Sequence, residues 1–238
     1  MDTFLFDLDG TLLPMNQDKF IDLYFKGLSA KLAPDFEPKT LIEAIWEGTR
    51  AMIGNDGTIY NNERFWDTII RILGDKVLEL EPIFYDFYKN EFQGLIEVTS
   101  PSSLVKKSIS LLKEKGYRLI LATNPLFPRV ATYSRISWAG LEPEDFEWIT
   151  TYENSSFCKP NINYYKEILS NTGVTVDQCI MVGNDLAEDM IVKTIGMNTF
   201  LVTDCLINSI GQDIGQYRSG SLVDLCEYIK GLPYTSPE

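Results

Sequence analysis

The hydrophobic pattern changes character along the chain. Thr3-Phe4-Leu5-Phe6 is a short apolar run that stops at Asp7, the pattern of a strand covered on both faces in a parallel sheet. Residues 7–16 form a loop containing Asp and Gly. From Asp18 to Phe92 the spacing becomes helical. Phe20, Leu23, Tyr24 and Leu28 make one set, and Leu41, Ile42, Ile45 and Met52 a second. Phe65, Ile69, Ile70 and Leu73 make a third, and Ile83, Phe84, Phe87 and Tyr88 a fourth. Pro34, Pro38, Gly54, Gly57 and Gly74 punctuate them, so this block reads as three or four helices packed as a small bundle.

After Ser100-Pro101 helices and strands alternate. Ser102 or Ser103 can cap a helix that runs to Lys115 and ends at Gly116. Strands are expected at 117–122, 146–152, 178–182 and 199–202. Helices are expected up to Trp138, over 164–169, from Asp185 to Ile195 and over 222–229. This alternation specifies an α/β fold with a doubly wound parallel sheet, interrupted after its first strand by an all-helical insertion. The expected division is a core of residues 1–15 and 97–238 and a helical cap of residues 16–96. Pro233 to Glu238 read as a fraying end.

Composition narrows the function. A chain of 238 residues with 45% hydrophobic and 23% charged residues is globular rather than disordered. Lys plus Arg is 21 against 34 Asp plus Glu, a formal charge of −13. That balance argues against nucleic acid as a partner and against a polybasic membrane anchor. There is no histidine, which excludes a Ser-His-Asp triad, a Cys-His dyad and a His-ligated zinc. Cys158, Cys179, Cys205 and Cys226 lie far apart and form neither a zinc motif nor a disulfide framework. Cys179 reads as a core residue and Cys158 as an unreactive loop thiol. The N-terminus lacks a basic and apolar leader, and no apolar run reaches about 18 residues. A cytoplasmic location is expected. No pattern in the chain sets an oligomeric state.

The chemistry sits where strands end. Asp7-Leu8-Asp9-Gly10-Thr11, Thr123-Asn124 and Gly183-Asn184-Asp185 each follow an apolar strand directly, and Lys159 lies in a loop after a fourth. Ligands of open α/β sheets bind at this edge. Carboxylates and water suit a hard cation such as Mg²⁺. A cation, a lysine and backbone amides around an aspartate suggest phosphoryl transfer to a carboxylate.

Taken in order, Phe-Asp7-Leu-Asp9-Gly10-Thr11, Leu-Ala-Thr123-Asn124, Lys159-Pro160 and Val-Gly183-Asn184-Asp185-x-x-x-Asp189 resemble the four motifs of the haloacid dehalogenase (HAD) superfamily. The helical insertion resembles the cap of its phosphoglycolate phosphatase-like subgroup. The resemblance implies a HAD-like Rossmannoid core and a Mg²⁺-dependent phosphatase acting on a small phosphorylated metabolite through an aspartyl phosphate. It implies Asp7 as nucleophile and Asp9 as the acid that protonates the leaving oxygen and later activates water. Thr123 and Asn124 would bind the phosphoryl group, and Lys159 would balance its charge and that of Asp7. Asp7, the Asp9 carbonyl and Asp185 would hold the metal, with Asn184 and Asp189 in support. A phosphomutase of the same superfamily and a non-catalytic phospho-switch module are the alternatives. The inserted cap and Asp9 disfavour the switch.

Two further expectations concern the periphery. The turn Gly54 to Tyr60 is expected to dip toward the pocket and select the leaving group. Arg50, Arg64, Arg129 and Arg135 read as surface arginines.

Overall fold

The computed structural model describes residues 1–32 and 36–235. Strands β1 (Thr3–Phe6), β2 (Arg118–Leu121), β3 (Trp148–Ile149), β4 (Cys179–Gly183), β5 (Asn198–Val202) and β6 (Ser219–Gly220) form one sheet. Its order is β3-β2-β1-β4-β5-β6, with every neighbouring pair parallel. β1 is therefore central, and the chain reverses direction across the sheet between β1 and β4. Phe6 pairs with both Leu121 and Val182. That register brings the residues just beyond these three strands to one level at one edge.

Side chains of β1 alternate between two cores, as the twofold period of a strand requires. Phe4 and Phe6 pack on one face with Val105, Ile109 and Leu225. Leu5 packs on the other with Tyr164, Tyr165 and Ile168. These three apolar side chains of β1 are fully buried, each contributing roughly 1.5–3 kcal/mol. The helices flanking the sheet are α5 (Ser103–Glu114), α6 (Arg129–Trp138), α7 (Ile162–Thr172) and α8 (Leu222–Lys230). Ser102 caps α5 by accepting the Leu104 N–H at 3.3 Å.

The insertion is helical, as expected: α1 (Gln17–Leu32), α2 (Pro38–Ile53), α3 (Asn61–Leu73) and α4 (Glu81–Lys89), with 3₁₀ turns at Asp75–Leu80 and Glu91–Val98. Pro38 begins α2, where its missing N–H costs nothing, and Glu37 accepts the Thr40 N–H at 2.8 Å. Tyr24, Phe87 and Phe92 form an aromatic centre that also meets Phe127 of the core. No helix among the described residues is long and apolar enough to cross a membrane.

Four local expectations are corrected. The strand expected at 146–152 shrinks to Trp148–Ile149, because Asn154 turns the chain back by accepting from the Thr151 N–H and donating to the Ile149 carbonyl. Sheet pairing also adds β6, too short to show a period. The helix expected from Asp185 to Ile195 is a turn followed by a 3₁₀ segment, Met190–Ile195, since the Asp185 carbonyl receives both the Asp189 and Met190 N–H groups. The end of the chain does not fray over Pro233 to Thr235. The Thr235 N–H donates to the Lys115 carbonyl at 2.8 Å and the Tyr117 hydroxyl to the Pro233 carbonyl at 3.1 Å. Pro34 and residues 236–238 lie outside the described residues.

Candidate active site

Asp7 is the first residue beyond β1, anchored by its N–H to the Val182 carbonyl at 2.9 Å. The loop that follows turns sharply at Gly10, whose φ of +86° an L side chain rarely adopts. A Cβ there would sit 2.4 Å from Asn184 Nδ2, so the glycine lets Asn184 cover the loop. Asn184 donates to the Cys205 carbonyl at 2.7 Å, which leaves its Oδ1 as an acceptor. The Thr11 hydroxyl lies 2.9 Å from that oxygen and 3.1 Å from Asp7 Oδ2, with one proton to give.

Lys159 is buried behind the cleft, its Nζ 2.8 Å from Asp7 Oδ1 and 2.6 Å from Asp189 Oδ1. Burial alone would push the ammonium down, yet Asp189 and Asp7 outweigh it and hold it well above its ordinary range. Asp189 also accepts the Asp185 N–H at 3.0 Å. It lies so close beneath the end of β4 that a Cβ on Gly183 would fall 2.2 Å from its Oδ2. Burial raises the Asp189 carboxyl, with Lys159 pulling against it.

Asp9 is ion-paired through Oδ2 with Arg135 of α6, and its buried Oδ1 has no partner. Burial pushes the Asp9 carboxyl up; Arg135 opposes the shift and the nearby Asp7 adds to it. Arg135 is therefore not a surface residue but 1% exposed. Arg50 and Arg64 pair with Glu47 and Asp56 at the surface of the insertion.

Asp7, Asp9, Thr123, Asn124, Asn184, Asp185 and Asp189 line one cleft of about 170 Å³, with Lys159 against its floor. Every residue picked out by motif is thus brought to one place. The Thr123 carbonyl is held by Thr150 and Tyr164 at 2.7 and 2.8 Å. The Asn124 amide is engaged at both ends, accepting the Lys159 N–H at 3.3 Å and donating to Glu188 at 3.1 Å. Asp185 Oδ1 accepts from the N–H groups of Ala187 and Glu188 at 2.7 and 3.0 Å.

Sequence reasoning missed Glu188, Gln17 and Arg135. Glu188 lines the cleft three residues after Asp185, and that i, i+3 spacing was its signal. The turn at Gly54 to Tyr60 lines neither the cleft nor the cavity beside it. Asn55 donates to the Ile59 carbonyl within the turn, and Gly57 packs against Phe157 of the core. Cys158 is buried and accepts from Asn61, and burial pushes its thiol up, which disfavours the thiolate.

The donor set suits a hard divalent cation. It comprises oxygens only, with an orphaned carboxylate oxygen on Asp9 beside Asp7 and Asp185. Among the described residues no three Asp, Glu or Cys form a ready-made cage. Carboxylate and carbonyl oxygens of this kind would leave positions for water, which suits Mg²⁺.

A family model described as haloacid dehalogenase-like hydrolase matches residues 1–192. The chain belongs to this family. Two curated relatives of this HAD-type hydrolase are named glyceraldehyde 3-phosphate phosphatase. One, from Methanothermobacter thermautotrophicus, is 33% identical over 83% of both chains. The other, from Methanocaldococcus jannaschii, is 24% identical over 96% of both. A solved HAD phosphatase from Thermococcus onnurineus shares the fold, with TM-score 0.59 and 19% identity over 99% of this chain and 100% of that one.

Proposed function

We propose that the chain is a Mg²⁺-dependent phosphatase that hydrolyses a small organic phosphomonoester through an aspartyl-phosphate intermediate. Residues 1–15 and 97–238 would be the catalytic core and residues 16–96 the cap. One observation carries this reading. Asp7 meets the open cleft while Lys159 steadies it from behind, and two residues on, Asp9 has an oxygen with no partner.

In this reading Asp7 attacks phosphorus as the bond to the leaving oxygen breaks, and Asp9 gives that oxygen its proton. Water then attacks phosphorus, Asp9 takes a water proton, and the bond from Asp7 to phosphorus breaks to release inorganic phosphate. Lys159 offsets the charge on Asp7, and Asp189 keeps the ammonium pointed at it. The Thr123 hydroxyl is the donor for a phosphoryl oxygen. Asn124 holds the Lys159 loop in place, and Asn184 orients Thr11 above Gly10. Asp7, the Asp9 carbonyl and Asp185 would hold Mg²⁺, which when bound lowers the repulsion between a carboxylate and a phosphate dianion.

The relatives' name makes glyceraldehyde 3-phosphate the first natural substrate to test. Phosphate release from p-nitrophenyl phosphate, with and without Mg²⁺, tests the reaction class. Many turnovers per chain that need Mg²⁺ support a phosphatase; retention of one phosphate per chain would replace it with a switch, and transfer to an added sugar phosphate with a mutase.

A further inference from the structure

A second cavity, of about 200 Å³, adjoins the polar cleft and extends into the insertion. The two share Asp9, Gln17, Leu126 and Phe127, so Asp9 stands at their junction. Away from that junction the walls are aromatic: Phe20 and Tyr24 from α1, Phe65 and Trp66 from α3, and Tyr152 from the core. No Lys or Arg lines the chamber among the described residues, and Asp9 is its one carboxylate.

Gln17 and the partnerless Asp9 Oδ1 sit at the junction with the cleft, and deeper in the chamber hydroxyl groups are engaged within the protein. The Tyr24 and Tyr88 hydroxyls bond to each other at 2.9 Å, the Thr49 hydroxyl donates to the Ile45 carbonyl at 2.9 Å, and Asp9 is held by Arg135. A polyol or a second anion placed here gives up hydrogen bonds to water and finds few replacements. An apolar group loses nothing and gains burial.

Resting on the phosphatase reading, we propose that the preferred substrate is a phosphomonoester of an apolar alcohol, its alkyl or aryl group seated in this chamber and its ester oxygen at Asp9. An apolar cavity of about 150 Å³ takes up benzene, so this one suits roughly one ring with a short substituent, or a chain of about six carbons. Protonated by Asp9 as its bond to phosphorus breaks, such a group departs as a neutral alcohol.

The test is kcat/KM, with Mg²⁺, for ethyl, butyl, hexyl and benzyl phosphate beside glyceraldehyde 3-phosphate. The expected result is a rise of roughly three- to fourfold per methylene from ethyl to hexyl, with benzyl phosphate preferred over the triose phosphate. Thr49→Phe, which fills the chamber, should lower the hexyl-to-ethyl ratio at least tenfold. Should that variant not fold, Trp46→Ala, at a wall residue also exposed to solvent, should shift the optimum to longer chains. A flat chain-length profile, a preferred triose phosphate, or a profile unmoved by the folded variants overturns the apolar assignment and leaves the phosphatase standing. No turnover of any phosphate by folded protein with Mg²⁺ overturns the phosphatase reading, and this inference with it.

Discussion

Arg135 and Asp9 form an ion pair between α6 and the loop beyond β1, with the guanidinium stacked 4.5 Å from the centre of the Phe127 ring. Arg135 is steadied by its own helix, donating to the Ala131 carbonyl and the Thr132 hydroxyl, both at 3.3 Å. The cation is thus set in place before Asp9 meets it. It opposes the upward push of burial on the carboxyl that we propose carries a proton for the leaving group.

Arg135→Met should therefore move a pH profile in a defined direction. Activity on an alkyl phosphate falls as pH rises through the pKa of Asp9, because only the acid form can donate. Removing the cation raises that pKa, so the alkaline limb of kcat/KM should move to higher pH. Stability in urea should drop by about 3 kcal/mol, the low end for a broken buried pair, since Asp9 is 21% exposed. An unmoved limb would show that Asp9 is not the titrating acid.

Asp7→Asn should abolish steady-state turnover with little loss of fold, because the amide keeps nearly the same volume but cannot attack. Asp9→Asn should cost an alkyl phosphate about 10²–10⁴-fold in kcat and p-nitrophenyl phosphate far less, since nitrophenolate leaves without a proton. Equal losses on both substrates would remove the acid role.

Lys159→Met should be the most damaging change to stability, at about 3–5 kcal/mol, because it leaves Asp7 and Asp189 buried without their shared cation. Adding Asp189→Asn to it should recover part of that loss. Chemical denaturation of both single variants and the double variant reads the coupling, and strict additivity would mean that the contact contributes nothing.

Chelation should stop turnover, and Mg²⁺ should restore it. Asp185→Asn should raise the Mg²⁺ concentration needed for half-maximal activity by at least tenfold. It should also diminish the rise in melting temperature that Mg²⁺ brings to the parent. A variant that matches the parent in both respects would take Asp185 out of the metal site.

The motif residues were legible because each polar cluster directly follows an apolar run, and a parallel sheet delivers all such ends to one edge. Arg135 was hidden by a prior that favours exposure for arginine, although Ala131, Thr132 and Ile136 mark the inner face of its helix. Its partner lies 126 residues away, beyond the reach of any local pattern. The turn at Gly54 to Tyr60 misled for the opposite reason. Its Asp56-Gly57-Thr58 copies the look of Asp9-Gly10-Thr11 in the loop after β1. No strand precedes it, and Asp56 accepts from Thr58 within the turn and from Arg64 of α3. The aromatic chamber could not be read at all, since helical periodicity marks core positions without telling packed space from empty space.

Asn61, at the start of α3, belongs to the insertion yet holds the core. Its N–H donates to the Ser155 carbonyl at 2.9 Å, and its amide nitrogen lies 3.3 Å from the Phe157 carbonyl and 3.5 Å from that of Pro125. These acceptors belong to the segments carrying Lys159 and Thr123, so a single side chain clasps two loops of the cleft region at once. Any displacement of that end of the insertion must either break the clasp or draw both loops along. The position of the ammonium behind Asp7 and the seating of the insertion are then one mechanical variable rather than two.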